Sequence, residues 1–165
     1  MIVSNATPLI YLAKINRLEL LQKLFGKIII SEEVKKEVVD EGKKRSANDA
    51  VIIEQAIIAG WITVHKTKII EMPILIDLGE QATISLAKNK EIPIVLIDEI
   101  SARTAAKLLG LTPKGTIFVL LKVLKKKIIQ HNEFLAILQQ LIKEGFRLKE
   151  EIYLAALEEA RRFER

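Results

Sequence analysis

Four polar positions in this chain stand where their side chains could act together. Asn5 closes the apolar run at the start of the chain, and Asp98-Glu99 follows the apolar run Ile94-Val95-Leu96-Ile97. Glu37 lies beside the apolar stripe of Val34 and Val38 on a helix that Ser31 should open. Glu80 falls in the first turn of a helix opened by Asp77, on a small-residue face with Thr83, Ile84 and Ala87. Carboxylates gathered within a few ångströms repel one another, and a divalent cation relieves that repulsion. The sequence contains no cysteine and only two histidines, His65 and His131, so any metal site must be built mostly from carboxylates. Oxygen ligands of that kind suit Mg²⁺ or Mn²⁺. Water on such an ion can attack a phosphodiester while the metal steadies the developing charge.

Each position also has a purely structural explanation, and these stay open. Asn5 can shape a turn. Asp98 can cap the helix that begins near Ser101. Glu37 can be a solvated helix residue. Glu80 stands three residues after Asp77, the spacing of a capping box.

The elements that would position these side chains follow from the hydrophobic pattern. Short apolar runs at Met1–Ser4, Ile28–Ile30, Trp61–Val64 and Ile94–Ile97 read as buried strands. Between them lie helical stretches. One starts at Thr7-Pro8, with Thr7 as cap and Pro8 in the first helical position, and stops before Asn16. The others run over Leu18–Phe25, Ser31–Glu41, Asn48–Ala59, Asp77–Asn89 and Ser101–Leu109, several of them stopped by glycine. Lys43-Lys44-Arg45 reads as a basic loop. From Gly115 onward only helices are expected, over Thr116–Lys126, Asn132–Glu144 and Lys149–Arg162. Strands alternating with helices imply βαβ units, a parallel sheet and helices on both faces. In such a sheet ligands bind at the carboxyl ends of the strands, where the strand order switches. If the first and fourth strands are neighbours, Asn5 and Asp98 converge there.

Composition narrows the classes. With 165 residues, half of them hydrophobic and 28% charged, the chain has the makings of one packed domain and not of a disordered segment. Residues from about 130 to 165 should form a helical C-terminal extension on that domain. No apolar run reaches the roughly 18 residues of a membrane span, and the first ten residues lack the basic start of a signal peptide. A cytoplasmic location is therefore expected. The Ile-, Lys- and Glu-rich, cysteine-free composition fits a thermophile. The net charge of +5 favours an anionic partner such as nucleic acid. Lys43, Lys44 and Arg45 are one candidate contact, and Lys66, Lys68, Lys122 and Lys125–Lys127 are others. Each of these clusters taken alone reads first as solvated surface.

The ordered set Val3-Ser4-Asn5-Ala6-Thr7-Pro8-Leu9-Ile10, Ile30-Ser31-Glu32-Glu33-Val34-Lys35-Lys36-Glu37-Val38, Leu78-Gly79-Glu80-Gln81-Ala82 and Ile97-Asp98-Glu99 resembles the PIN-domain family. So do Arg103 and Ala106, Leu109-Gly110-Leu111, Gly115-Thr116, and the tail Gly145-Phe146-Arg147-Leu148 with Tyr153. The resemblance spans nearly the whole chain. It is to the branch of predicted nucleic-acid-binding proteins that carry a PIN domain. It implies a three-layer α/β/α sandwich around a parallel sheet, and a Mg²⁺- or Mn²⁺-dependent ribonuclease. Many relatives are VapC-type toxins of toxin–antitoxin pairs that form dimers, so RNA, a small antitoxin and a second copy are the implied partners. Residue by residue, the acidic quartet falls on Asn5, Glu37, Glu80 and Asp98, with Glu99 as an accessory acid. Thr7 matches the hydroxyl residue that positions the first acid and the metal, and Arg103 is placed to reach a phosphate or pair with an acid of the site. The family's first position is normally Asp, and here it is Asn5. An amide oxygen can ligate but brings no negative charge, which leaves two outcomes open: a weakened nuclease, or a module that binds nucleic acid or protein without cleavage.

Overall fold

The computed structural model of the chain describes residues 1–164. Five parallel strands form one sheet in the order β3-β2-β1-β4-β5. They are β1 (Ile2–Ser4), β2 (Ile28–Ser31), β3 (Ile62–His65), β4 (Ile94–Leu96) and β5 (Thr112–Lys114). The three central strands are almost wholly apolar because helices cover both of their faces. Their side chains alternate between two cores, as a strand's period of two requires. Ile2, Ile28, Ile30 and Leu96 point into one core, and Val3, Ile29, Val95 and Ile97 into the other.

The first core is closed by α1 (Ala6–Lys14), α2 (Glu19–Phe25), α5 (Asn48–Ile58) and α8 (Thr116–Lys125). The second is closed by α6 (Leu78–Asn89) and α7 (Ile100–Leu108), whose buried faces are rich in alanine and allow close approach to the sheet. The result is the three-layer α/β/α sandwich with a parallel sheet. Two final helices, α9 (His131–Lys143) and α10 (Glu150–Arg162), extend the first core outward with Phe134, Ile137, Leu138, Leu141, Ala156 and Ala160. Trp61 packs partly buried against that core. Among the described residues, no helix is long and apolar enough to cross a membrane.

Several local expectations need correction. The first helix begins at Ala6 with Asn5 as its cap residue, so Thr7 is already helical and its hydroxyl is free for another partner. The third helix does not continue regularly to Glu41: α3 (Glu32–Lys35) passes into a wider π-helical segment, Lys36–Glu41, and then into α4 (Gly42–Lys44). The supposed basic loop Lys43-Lys44-Arg45 is thus mostly helical, and Lys43 pairs with Glu54 at 2.7 Å. β5 went unrecognised because Thr-Pro-Lys is a poor strand sequence. It is tolerated at the sheet's edge, where proline's missing N–H costs least. Asp98 does not cap the helix after it, since Glu99 holds that place.

Candidate active-site cavity at the β1/β4 switch point

All five strands run the same way, so their carboxyl ends share one edge. The strand order reverses between β1 and β4, which pair with Val3 opposite Val95 and Ser4 opposite Leu96. Beyond that pair opens a cavity of about 1730 Å³ lined by Asn5, Thr7, Glu37, Asp77, Glu80, Asp98, Glu99 and Arg103, among others. The conditional expectation holds: β1 and β4 are neighbours, and Asn5 and Asp98 face one crevice. Glu37, Glu80, Glu99, Thr7 and Arg103 join them there. Lys43, Lys44 and Arg45 do not line the cavity, although the Arg45 charge reaches Glu37.

Asn5 is only 4% exposed, and its Oδ1 accepts a 3.4 Å hydrogen bond from the Thr83 hydroxyl on α6. Glu37 comes from the π-helical segment Lys36–Glu41. Its carboxyl is raised above the usual range, first by loss of surrounding water and then by Asp77 and Glu41, with Arg45 opposing. Glu80 and Asp77 form the capping box in full. The Glu80 N–H donates to Asp77 Oδ1 at 2.8 Å, and the Asp77 N–H donates to Glu80 Oε1 at 3.1 Å. The structural explanation for Glu80 is therefore true, and it coexists with a place in the cavity. Burial to 7% exposure, helped by the Asp77 charge, lifts the Glu80 carboxyl to about 7 against the pull of the Asp77 N–H.

Asp98 reaches across to the start of α8. It accepts from the Thr116 N–H at 2.8 Å and from the Thr116 hydroxyl at 2.7 Å. Burial still raises its carboxyl, outweighing both bonds and the nearby Arg103. Gly115 is needed beside it, since a Cβ there would lie 2.7 Å from Asp98 Oδ1. Arg103 donates to the Ile97 carbonyl at 3.0 Å, which parks its guanidinium next to Asp98. Thr7 donates to Glu99 Oε1 at 3.0 Å. A Cβ added at Gly79 would meet Glu37 Oε2 at 3.2 Å, Asp77 Oδ1 at 3.5 Å and Asn5 Oδ1 at 3.9 Å, so those three oxygens close on one point.

Thr116→Val tests the Asp98 anchor. Thr116 is fully buried, so the swap keeps its volume and removes one donor from a carboxylate short of water. A loss of about 1–3 kcal/mol is expected in denaturant unfolding near neutral pH. The loss should fade in acid, where protonated Asp98 no longer needs the donor.

Asp77 is the residue that sequence reasoning used only as a cap. Its position beside Glu80 was the available signal. Lys114, Arg147 and Lys149 also line the cavity and were not singled out as contacts, because isolated cations carry no pattern. The predicted clusters lie elsewhere: Lys125 sits at the far end of α8, over the Phe163 ring at 5.8 Å.

The donor set has the chemistry a hard divalent cation takes, with carboxylate and amide oxygens and mutual repulsion among the acids. Among the described residues, however, no three acids or histidines are gathered as a ready coordination shell. Glu80 Oε1, both Asp98 oxygens and Glu99 Oε1 already accept protein hydrogen bonds. A cation that keeps several of its waters, as Mg²⁺ does, fits this set.

The structure is a parallel α/β/α sandwich with acids facing the β1/β4 crevice. The family model described as "DUF3368: PIN domain" matches residues 1–162, and the chain belongs to that family. No curated protein and no solved structure matches the chain.

Proposed function

We propose that this protein is a divalent-metal-dependent endoribonuclease, the toxin component of a toxin–antitoxin pair. The observation that carries the reading is the convergence of Asn5, Glu37, Glu80, Asp98 and Glu99 on one cavity at the switch point, three of them with raised carboxyls. Glu37, Glu80 and Asp98 would hold one Mg²⁺ or Mn²⁺, with Asn5 as a neutral partner and Glu99 beside them. A cation bound there lowers the pKa of a coordinated water and offsets charge on the phosphate oxygens. The chain's own contribution is orientation. Thr116 fixes Asp98, the Asp77 backbone fixes Glu80, and Thr7 fixes Glu99. Arg103 stands beside Asp98, within the cavity, as a partner for a phosphate. A small antitoxin and a second copy of the chain are the proposed protein partners.

Incubation of a labelled single-stranded RNA with Mg²⁺ or Mn²⁺ tests this. Cleavage that needs the metal and falls by about a hundredfold or more in Asp98→Asn is expected. A chain that never cuts, with no gain from Asn5→Asp, would overturn it.

Asn5 itself favours the second reading, a module that binds nucleic acid or a protein without cleavage. Under that reading a Mn²⁺ titration finds no site while RNA still binds.

A further inference from the structure

The cavity that holds the acids is also lined by three further cations, Lys114, Arg147 and Lys149. Among the described residues none of these three cations makes an ion pair with an acid, whereas Arg17, Lys35, Lys43 and Arg162 all do. Like charges left unpaired around one cavity repel, and an anion placed among them relieves the repulsion. The same cavity offers aromatic surface. Phe118, in the first turn of α8, lines the cavity half-buried, with the Lys114 ammonium 4.8 Å from its ring centre.

The segment that carries Arg147 and Lys149 is tied to α1. The Tyr11 hydroxyl donates to the Gly145 carbonyl at 3.3 Å, and the Tyr11 ring meets Phe146 edge-on at 5.2 Å. Tyr11 lies one helical turn beyond Thr7 on α1, so one helix joins the acids to the segment that carries Arg147 and Lys149.

We propose that Lys114, Arg147 and Lys149, with the Phe118 ring, form a strand-binding subsite for single-stranded RNA, completed by the C-terminal segment Gly145–Lys149. The proposal rests on the nuclease reading for its ligand class alone. Phosphates are repelled by the acids and attracted to the cations, so the strand runs past Lys114, Arg147 and Lys149 with one phosphodiester brought to the acids. An aromatic face accepts an unstacked base and not a paired one, which selects single strands. The three cations are positioning residues.

The test is binding of a fluorescein-labelled oligouridylate to the full chain in EDTA, followed by fluorescence anisotropy across a salt series. Arg147→Ala with Lys149→Ala is expected to weaken binding by about tenfold or more. It should also reduce the slope of log affinity against log salt by about 0.7 for each cation lost. Arg147→Lys should restore most of that slope, which a merely structural loss would not allow. Phe118→Leu should weaken oligouridylate binding while leaving the salt slope unchanged. Both cations are exposed, so an unchanged melting temperature is expected in the double variant. Unchanged affinity and slope in that variant would overturn the proposal. So would absence of binding by the wild type, or equal affinity for a duplex of the same length. Because EDTA separates binding from cleavage, a chain that binds through these residues and never cuts sinks only the nuclease reading. A chain that cuts with KM indifferent to both substitutions sinks only this one.

Discussion

Asn5→Asp is expected to raise the affinity of the cavity for Mn²⁺ by at least about tenfold and to destabilise the metal-free protein by on the order of 3 kcal/mol near pH 8. Both effects come from one added charge. Asn5 is 4% exposed, and its Oδ1 already points toward the space shared with Glu37 and Asp77. A carboxylate there meets acids whose own carboxyls are already raised, and the Thr83 hydroxyl, which donates to the Gly79 carbonyl at 2.8 Å, offers it little. Without metal the repulsion has no outlet, and with metal it becomes attraction. Calorimetric titration with Mn²⁺ and thermal unfolding in EDTA measure the two halves separately. Equal Mn²⁺ affinity together with equal stability in EDTA would mean that Asn5 does not face the acids as described.

Glu80→Gln should behave in the opposite sense. In EDTA near pH 8 the variant is expected to be more stable than the wild type by up to about 3 kcal/mol. The Glu80 carboxyl stands at about 7 in the folded chain against an ordinary 4.5, so the folded state binds this proton more tightly than the unfolded state does. Wild-type stability therefore declines as pH rises from about 4.5 to about 7 and carries the full cost above that. Below that window Glu80 is neutral in both states, and the two proteins should converge. Glutamine can still accept the Asp77 N–H, so the capping box survives and the comparison isolates the charge. Saturating Mn²⁺ should reverse the order, because a ligand that binds only the folded wild type adds about 4.1 kcal/mol at a thousand times its dissociation constant. Unfolding curves at several pH values, with and without Mn²⁺, decide it. A difference that ignores pH would assign Glu80 to capping alone.

Much of this architecture was legible from hydrophobic pattern. The β-branched run Ile28-Ile29-Ile30 and the run Ile94-Val95-Leu96 could only be central strands, and Ser31 and Asp77 announced helix starts that their side chains indeed cap. Placing Asn5 and Asp98 together needed one further fact, the pairing of β1 with β4, which alternation alone does not supply. What escaped had weak local signals. β5 is made of residues that fit an edge position and nothing else. The π-helical segment differs from an α-helix by hydrogen bonds one residue longer, which no residue type specifies. Asp98 turned from its own helix to α8 because tertiary placement brought the Thr116 N–H and hydroxyl within reach. The cations that line the cavity come from positions 114, 147 and 149, distant in sequence and ordinary one by one.

The Tyr11–Gly145 contact joins residues 134 positions apart. During synthesis the chain through Asp98 emerges before residues 145–149 do. Asn5, Glu37, Glu80 and Asp98 are then all available, while the segment that Tyr11 grips has yet to be made. The lining of the cavity is complete only after residues 145–149 have been translated and released. A nascent chain thus carries its acids without its full groove, and the complete cavity belongs to the finished molecule alone.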